Sequence, residues 1–272
     1  MAIEITLIDF ARDPLHKLYG AYRTCYTPKT PGEVWTEIRQ GSITSESIRE
    51  FVTERLKTGH SSPLEQVVFW FGISGVSRAL SHQLVRHHMG ISFEQQSQRY
   101  VRYKEDRLDY VMPKTWEKAG LSGEFDGLMR EITRVYEEAL KQGVPAEDAR
   151  FVLPNATPTN FQVMVNLTEL LHIADLRLCW RAQWEIRHLV AGMRREVMRV
   201  VPEVGAYLQP KCGDRRTGYC DEPRKEWEEC PLGKLRPHKD YLLEVFQEFR
   251  REQLAPLGED DLKTVEAGGG EE

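Results

Sequence analysis

The chain has 272 residues, of which 40% are hydrophobic and 29% charged, with a formal net charge of −5 at pH 7. A chain of this length buries roughly three-quarters of its unfolded surface, and ten Phe, ten Tyr and six Trp exclude a wholly disordered polymer. No run approaches the ~20 apolar residues of a membrane-spanning helix, and the acidic balance argues against bulk attraction to nucleic acid.

The opening residues, MAIEITLIDFARD, carry Glu4 and Asp9 and no basic leader, so no secretory signal is expected. Five widely spaced Cys argue against a secreted disulfide framework, and the cytoplasm is the expected compartment. Residues 3–10 alternate like a strand, and residues 20–35 read as a loop. Ile48, Phe51, Val52 and Leu56 recur at helical spacing, with Ser45 as cap and Gly59 as stop. GHSSPLEQ is a turn before VVFWFGI (67–73), a buried strand. Residues 76–89 read as helix and 98–112 as extended chain. Phe125, Leu128, Ile132, Val135 and Leu140 predict an amphipathic helix over 124–142. A long helical pattern follows from about 159 to 200, ended by Pro202. Beyond Pro210 the chain turns polar and holds three Cys, then an amphipathic stretch at 239–254. Three segments are therefore expected: a main domain over 1–205, a Cys-bearing extension over 206–258 and a disordered acidic tail over 259–272. The fold class is α+β, a mixed sheet packed with long helices.

The motifs G-x-G-x-x-G, G-x-x-x-x-G-K and H-E-x-x-H are absent from the sequence, which argues against Rossmann, P-loop and zincin chemistry. Gly72-Ile-Ser-Gly75 has the wrong spacing for a nucleophile elbow. Arg78, Arg86, Arg99, Arg102 and Arg107, with His82, His87 and His88, make a basic stretch in an acidic protein. It is either a focused anion site or a solvated face. On a helix, Gln83, Arg86, His87 and Gly90 share one face. The polar run Glu94, Gln95, Gln96, Ser97, Gln98, Arg99 follows. Arg suits a phosphate, Ser97 adds a donor, and a Gln amide can read a base edge; the plain alternative is a helix end with a polar loop.

Asn166, Leu170, Ile173, Arg177 and Arg181 share a second stripe. A buried Arg needs an anionic partner. Arg181 has Glu185 four residues on, whereas Arg177 has no acid at that spacing and is the better ligand candidate. Arg150 is a third anion clamp or a partner of Glu147 or Asp148. The turn His60-Ser61-Ser62-Pro63-Leu64-Glu65 places an imidazole and a hydroxyl at a site edge, or is simply a turn. Cys212, Cys220, Cys230 and His238 are a candidate Cys3His metal set with non-standard spacing; the alternative is reduced thiols in a packed extension. Cys25 reads as a loop thiol and Cys179 as core.

The run RHH…SFEQQSQRY resembles the signature of the flavin-dependent thymidylate synthases. GHSSPLEQ, ARFVLPNATPTNF, Asn166 and LRLCWRAQWEIR resemble further family segments in family order, over about residues 20–200. The resemblance implies a homotetramer with FAD at subunit junctions, which methylates dUMP to dTMP using methylenetetrahydrofolate and NADPH. It implies Gln83, Arg86, Gln95, Gln96, Ser97, Arg99, Arg150 and Arg177 at dUMP. It implies His60, Ser62, Glu65, Arg86, His87, His88, Gln95, Asn166 and His172 at FAD, some from neighbouring subunits. Helical phase sets His172 well away from the face of Asn166 and Arg177, as if one helix served two sites.

Uracil C5 is a poor nucleophile until N3 gains negative character, and a guanidinium beside N3 favours the anion. Arg177 is assigned that catalytic role, while the protein chiefly positions two flat rings. Ser97 is not read as a nucleophile, because no His–acid pair activates it. His88 replaces the family's usual Arg, which weakens its hold on a flavin phosphate, and one extra residue lies between His88 and Ser92. Two rival readings are hydroxymethylation of a pyrimidine nucleotide on the same fold, and a non-catalytic, zinc-stapled protein that binds nucleic acid or a partner.

Overall fold

The structure, a computed structural model, describes residues 3–101 and 110–253. Arg102, Arg107, most of the segment read as extended at 98–112, and the tail over 259–272 lie outside the described residues. Two compact units divide the chain, residues 1–210 and 211–272.

In the first unit, β1 (Glu4–Phe10) leads into α1 (Pro14–Tyr26), α2 (Pro31–Arg39) and α3 (Ser45–Leu56). The region read as a loop at 20–35 is thus largely helical. Its signal is a capping box: Thr30 Oγ1 accepts the Glu33 amide, Glu33 accepts the Thr30 amide, and Pro31 opens the helix. The cap of α3 is Thr44, one residue before the expected Ser45. Then come β2 (Val68–Ser77), α4 (Arg78–Leu84) and β3 (Ile91–Gln95). The short α5 (Lys114–Lys118), the amphipathic α6 (Ser122–Lys141) and the single turn α7 (Ala146–Ala149) follow.

The expected long helix over 159–200 is three elements: β4 (Pro158–Asn166), α8 (Leu167–Arg177) and α9 (Trp184–Val200). Phe161, Val163 and Val165 are buried while Asn160 and Gln162 face out, so this stretch has a period of two. Asn166 then caps α8 through Oδ1 to the Glu169 amide (2.9 Å). Gln183 caps α9 by accepting the Glu185 and Ile186 amides. A short α10 (Pro202–Gly205) ends the unit's helices.

Among the described residues the strands form one four-stranded sheet, in the order β1-β2-β4-β3. Each pairing is antiparallel, so the sheet is not the mixed one expected. Central β2 and β4 supply Phe69, Phe71, Ile73, Phe161, Val163 and Val165 to the core, each worth about 1.5–3 kcal/mol when buried. Gly192 lets α9 close on β1, since a Cβ there would lie 2.0 Å from Ile5 Cδ1. Glu185, at the start of α9, accepts from the Ser77 amide (2.6 Å) and hydroxyl (2.5 Å). This bond, rather than the i,i+4 pair with Arg181, engages both Glu185 oxygens and ties α9 to α4.

The second unit holds α11 (Arg224–Glu229) and α12 (Lys239–Gln253). Cys220 and His238 form an isolated parallel β-bridge, with Lys239 N donating to Cys220 O. The His238 ring is engaged at both nitrogens, Nε2 with Glu222 O (2.8 Å) and Nδ1 with Asp240. Burial is the main cause of the raised pKa of the Cys212 and Cys220 thiols.

Candidate active site

The helix expected over 76–89 stops at Leu84. Val85 N bonds Ser81 O, and His87 N bonds Leu84 O in a tighter turn. Gly90 then takes a positive φ of 69° and leads into β3. Gln83, Arg86, His87 and Gly90 therefore do not line one helical face. The turn sends His87 inward, where it is 4% exposed, and leaves Arg86 and His88 exposed. Gly90 is required here, because a Cβ would come within 2.1 Å of Asn166 Nδ2. The Asn166 backbone N–H donates to Gly90 O (2.8 Å), which fastens the turn to the start of α8.

Expected residues fall into three hydrogen-bonded groups. The first centres on the buried His87 and Glu169. Arg177 Nε donates to His87 Nε2 (3.1 Å), and Arg177 Nη2 reaches Gln83 O (3.4 Å). His87 Nδ1 bonds Glu169 Oε1 (3.0 Å). Arg177 has only donors, so His87 Nε2 is the acceptor and the ring proton sits on Nδ1, donated to Glu169. Burial, then the charge of Arg177, pushes the His87 pKa down to about 4, which keeps the ring neutral at pH 7. Burial raises the Glu169 pKa and lowers that of Arg177. His172, itself exposed, packs edge-on to His87 with ring centroids 5.7 Å apart.

The second group gathers at the solvent-exposed Glu147. Arg99 pairs with Glu147 Oε2 (3.0 Å), and Arg150 Nε donates to the Glu147 carbonyl (3.0 Å). The pairing foreseen for Arg150 with Glu147 thus runs through its backbone, and Arg99 takes the carboxylate. Ser97 Oγ accepts the Arg99 amide. On β3 and just beyond it, Gln95 Nε2 donates to Thr159 Oγ1 (3.0 Å), and Gln96 Oε1 accepts from Asn160 Nδ2 (2.9 Å). The third group is His60, between Tyr26 OH (3.0 Å) and Ser62 Oγ (3.1 Å); Glu65 lies exposed on the same turn.

Sequence reasoning missed Thr159, Asn160 and Glu169 as partners, and it gave Glu147 to Arg150 but not to Arg99. The signal for the first three was available: period-two alternation puts Thr159 and Asn160 on β4, and Glu169 occupies the third position of a capped helix. A cavity of about 650 Å³ is lined by Tyr110, Lys114, Trp184, His188 and Arg195 and by none of the expected site residues. Among the described residues, His87, Glu169 and His172 are the group with metal-ligand atoms within 4.8 Å of one another. Cys212, Cys220, Cys230 and His238 are not so arranged.

A family model described as "Thymidylate synthase complementing protein" matches residues 6–203. A flavin-dependent thymidylate synthase from Nitratidesulfovibrio vulgaris is 40% identical over 227 residues, covering 80% of this chain and 91% of the relative. The chain belongs to the flavin-dependent thymidylate synthases. A further member of the family, from Pyrococcus abyssi, is 36% identical and covers 81% and 90% of the two chains. The crystal structure of a UMP/dUMP methylase, PolB, from Streptomyces cacaoi shares the fold with a TM-score of 0.61 at 19% identity, over 76% of this chain and 94% of that one. Among the described residues no helix is long and apolar enough to cross a membrane.

Proposed function

We propose that this enzyme methylates dUMP to dTMP, taking the carbon from methylenetetrahydrofolate and the electrons from NADPH through FAD. The observation that carries the reading is the state of Arg177. Its guanidinium is half-buried and is held by two neutral acceptors, His87 Nε2 and Gln83 O. Its charge is thus not cancelled by a directly bonded carboxylate. Such a cation lowers the pKa of an N–H placed beside it, and deprotonation at uracil N3 makes C5 nucleophilic.

Arg99 and Arg150 form the phosphate end of the proposed dUMP site, with Ser97 beside them. Their link to Glu147 is solvent-exposed, and exposed pairs hold by only about 0–1 kcal/mol, so a phosphate can replace the carboxylate. Gln95 and Gln96 are fixed on β4 partners and orient polar edges toward the nucleotide.

The donor set fits FAD. Arg86 and His88 are exposed, and Arg86 has no carboxylate partner among the described residues. With Asn166, His172, His60 and Ser62 they would hold the cofactor's phosphates and polar ring edge, and Glu65 would accept from a hydroxyl. His87 is left out of this set because both of its ring nitrogens are engaged inside the protein. Bound FAD supplies the hydride that brings the transferred carbon to the methyl level.

A homotetramer completes the proposal. Met89, Tyr100 and Phe151, each next in sequence to a site residue, are 69%, 78% and 82% exposed. Large apolar groups left open beside a polar site mark a surface that another chain covers. The test is product analysis with FAD, dUMP, methylenetetrahydrofolate and NADPH, together with light scattering. Appearance of dTMP from a tetramer supports the reading; a hydroxymethylated nucleotide or a monomeric active species overturns it.

A further inference from the structure

The group Glu169–His87–Arg177 is a directed chain of hydrogen bonds. Arg177 cannot accept, so its bond to His87 requires a bare Nε2. A neutral imidazole then has its proton on Nδ1, and Glu169 Oε1 is the acceptor at 3.0 Å. His87 and Glu169 are both buried, so neither finds an easy substitute in water. Glu169 is itself placed by the cap of α8, through its amide on Asn166 Oδ1, and Arg177 leaves the last turn of the same helix.

The three metal-ligand groups in this cluster do not form a cation site. His87 Nε2 has spent its lone pair on Arg177, Nδ1 carries the proton, and a guanidinium lies against the ring.

We propose that Glu169 is a positioning residue for the methyl transfer: it fixes the Nδ1–H tautomer of His87, and that tautomer anchors the Arg177 guanidinium. Without the carboxylate the imidazole is free to place its proton on Nε2, where it would face the Arg177 N–H donor to donor. Arg177 would then lose its anchor and the uracil its cation. An orienting carboxylate of this kind acts through tautomer choice, and its amide replacement keeps the shape while losing the selection. The inference rests on the activating role of Arg177 proposed above.

The test uses the FAD-loaded enzyme. ¹⁵N NMR of the imidazoles at pH 7 should show His87 protonated at Nδ1 and bare at Nε2. Glu169→Gln should give mixed tautomers and lower kcat by about 10- to 100-fold, the range seen when carboxylates that orient a histidine are removed. The dUMP dissociation constant should change by less than about threefold, because the phosphate contacts are elsewhere. In a His87→Gln background the same change should cost nothing further. Glu169→Asp, which keeps the charge, should retain the Nδ1–H form and recover part of the rate. It also serves if the Gln variant does not fold. Wild-type kcat in Glu169→Gln, or a wild-type His87 protonated at Nε2, overturns the proposal. Failure of the functional reading looks different: the wild-type protein makes no dTMP, while the tautomer and its dependence on Glu169 persist.

Discussion

Arg177 and Arg99 each bring a guanidinium to the proposed dUMP site, yet their settings are opposed. Arg177 is half-buried and held by a neutral imidazole and a carbonyl. Arg99 is about half-exposed and bound to Glu147, itself about half-exposed. The first arrangement preserves charge and direction, at the cost of desolvation that lowers the Arg177 pKa. The second parks a charge on a weak partner that a better anion can displace. On the proposed reading, the first is a preset cation for chemistry and the second an exchangeable one for binding.

The contrast can be broken at four points. Arg177→Ala should reduce kcat/KM by about 10²–10³-fold or more, the loss typical of a donor that stabilises developing charge. Its circular dichroism should be unchanged; normal turnover in this variant would move activation to another residue. Arg99→Ala should raise the dUMP dissociation constant by about 10- to 100-fold, since a charge-assisted hydrogen bond is worth about 1.5–3 kcal/mol. Titration calorimetry reads this directly, and an unchanged constant would remove Arg99 from the phosphate.

The third point is pH. The folded His87 pKa, about 4, lies below its ordinary value of 6.5. Between those values the unfolded chain binds the extra proton, so stability falls as pH drops from 6.5 toward 4 and is flat above. Unfolding free energies from urea titrations at pH 7 and pH 4.5 should differ by on the order of 1–2 kcal/mol more in the wild type than in His87→Gln. The raised Glu169 pKa acts in the opposite sense, giving stability that is lost as pH rises through its titration. The smallest effect is expected from Glu147→Ala. It should change stability by less than about 1 kcal/mol and tighten dUMP by no more than about fivefold.

The signature residues were legible because their types are costly outside a site: clustered amides, guanidiniums and imidazoles need partners. The partners were harder to read. Glu147 and Glu169 look like ordinary helical carboxylates in sequence, and only three-dimensional proximity sets them against Arg99 and His87. The strands Glu4–Phe10 and Val68–Ser77 were legible from alternation and an apolar run. The strand Pro158–Asn166 was not, because its valines and methionine merged with the apolar stripe of the next helix. The capping box at Thr30 was overlooked because the Tyr, Thr, Pro and Gly around it suggested a loop. Helical phase alone does not show that His172 lies beside His87, because it describes Cβ directions, whereas an imidazole reaches round to its neighbour.

Gly90 leaves no spare volume between the turn that carries Arg86 and His88 and the cap of the helix that carries Glu169 and Arg177. The absence of a single methyl group there sets the spacing between the turn proposed to face the flavin and the arginine proposed to activate uracil. Crowding at that point would tilt the whole helix, so cofactor grip and proton chemistry would be detuned in one stroke.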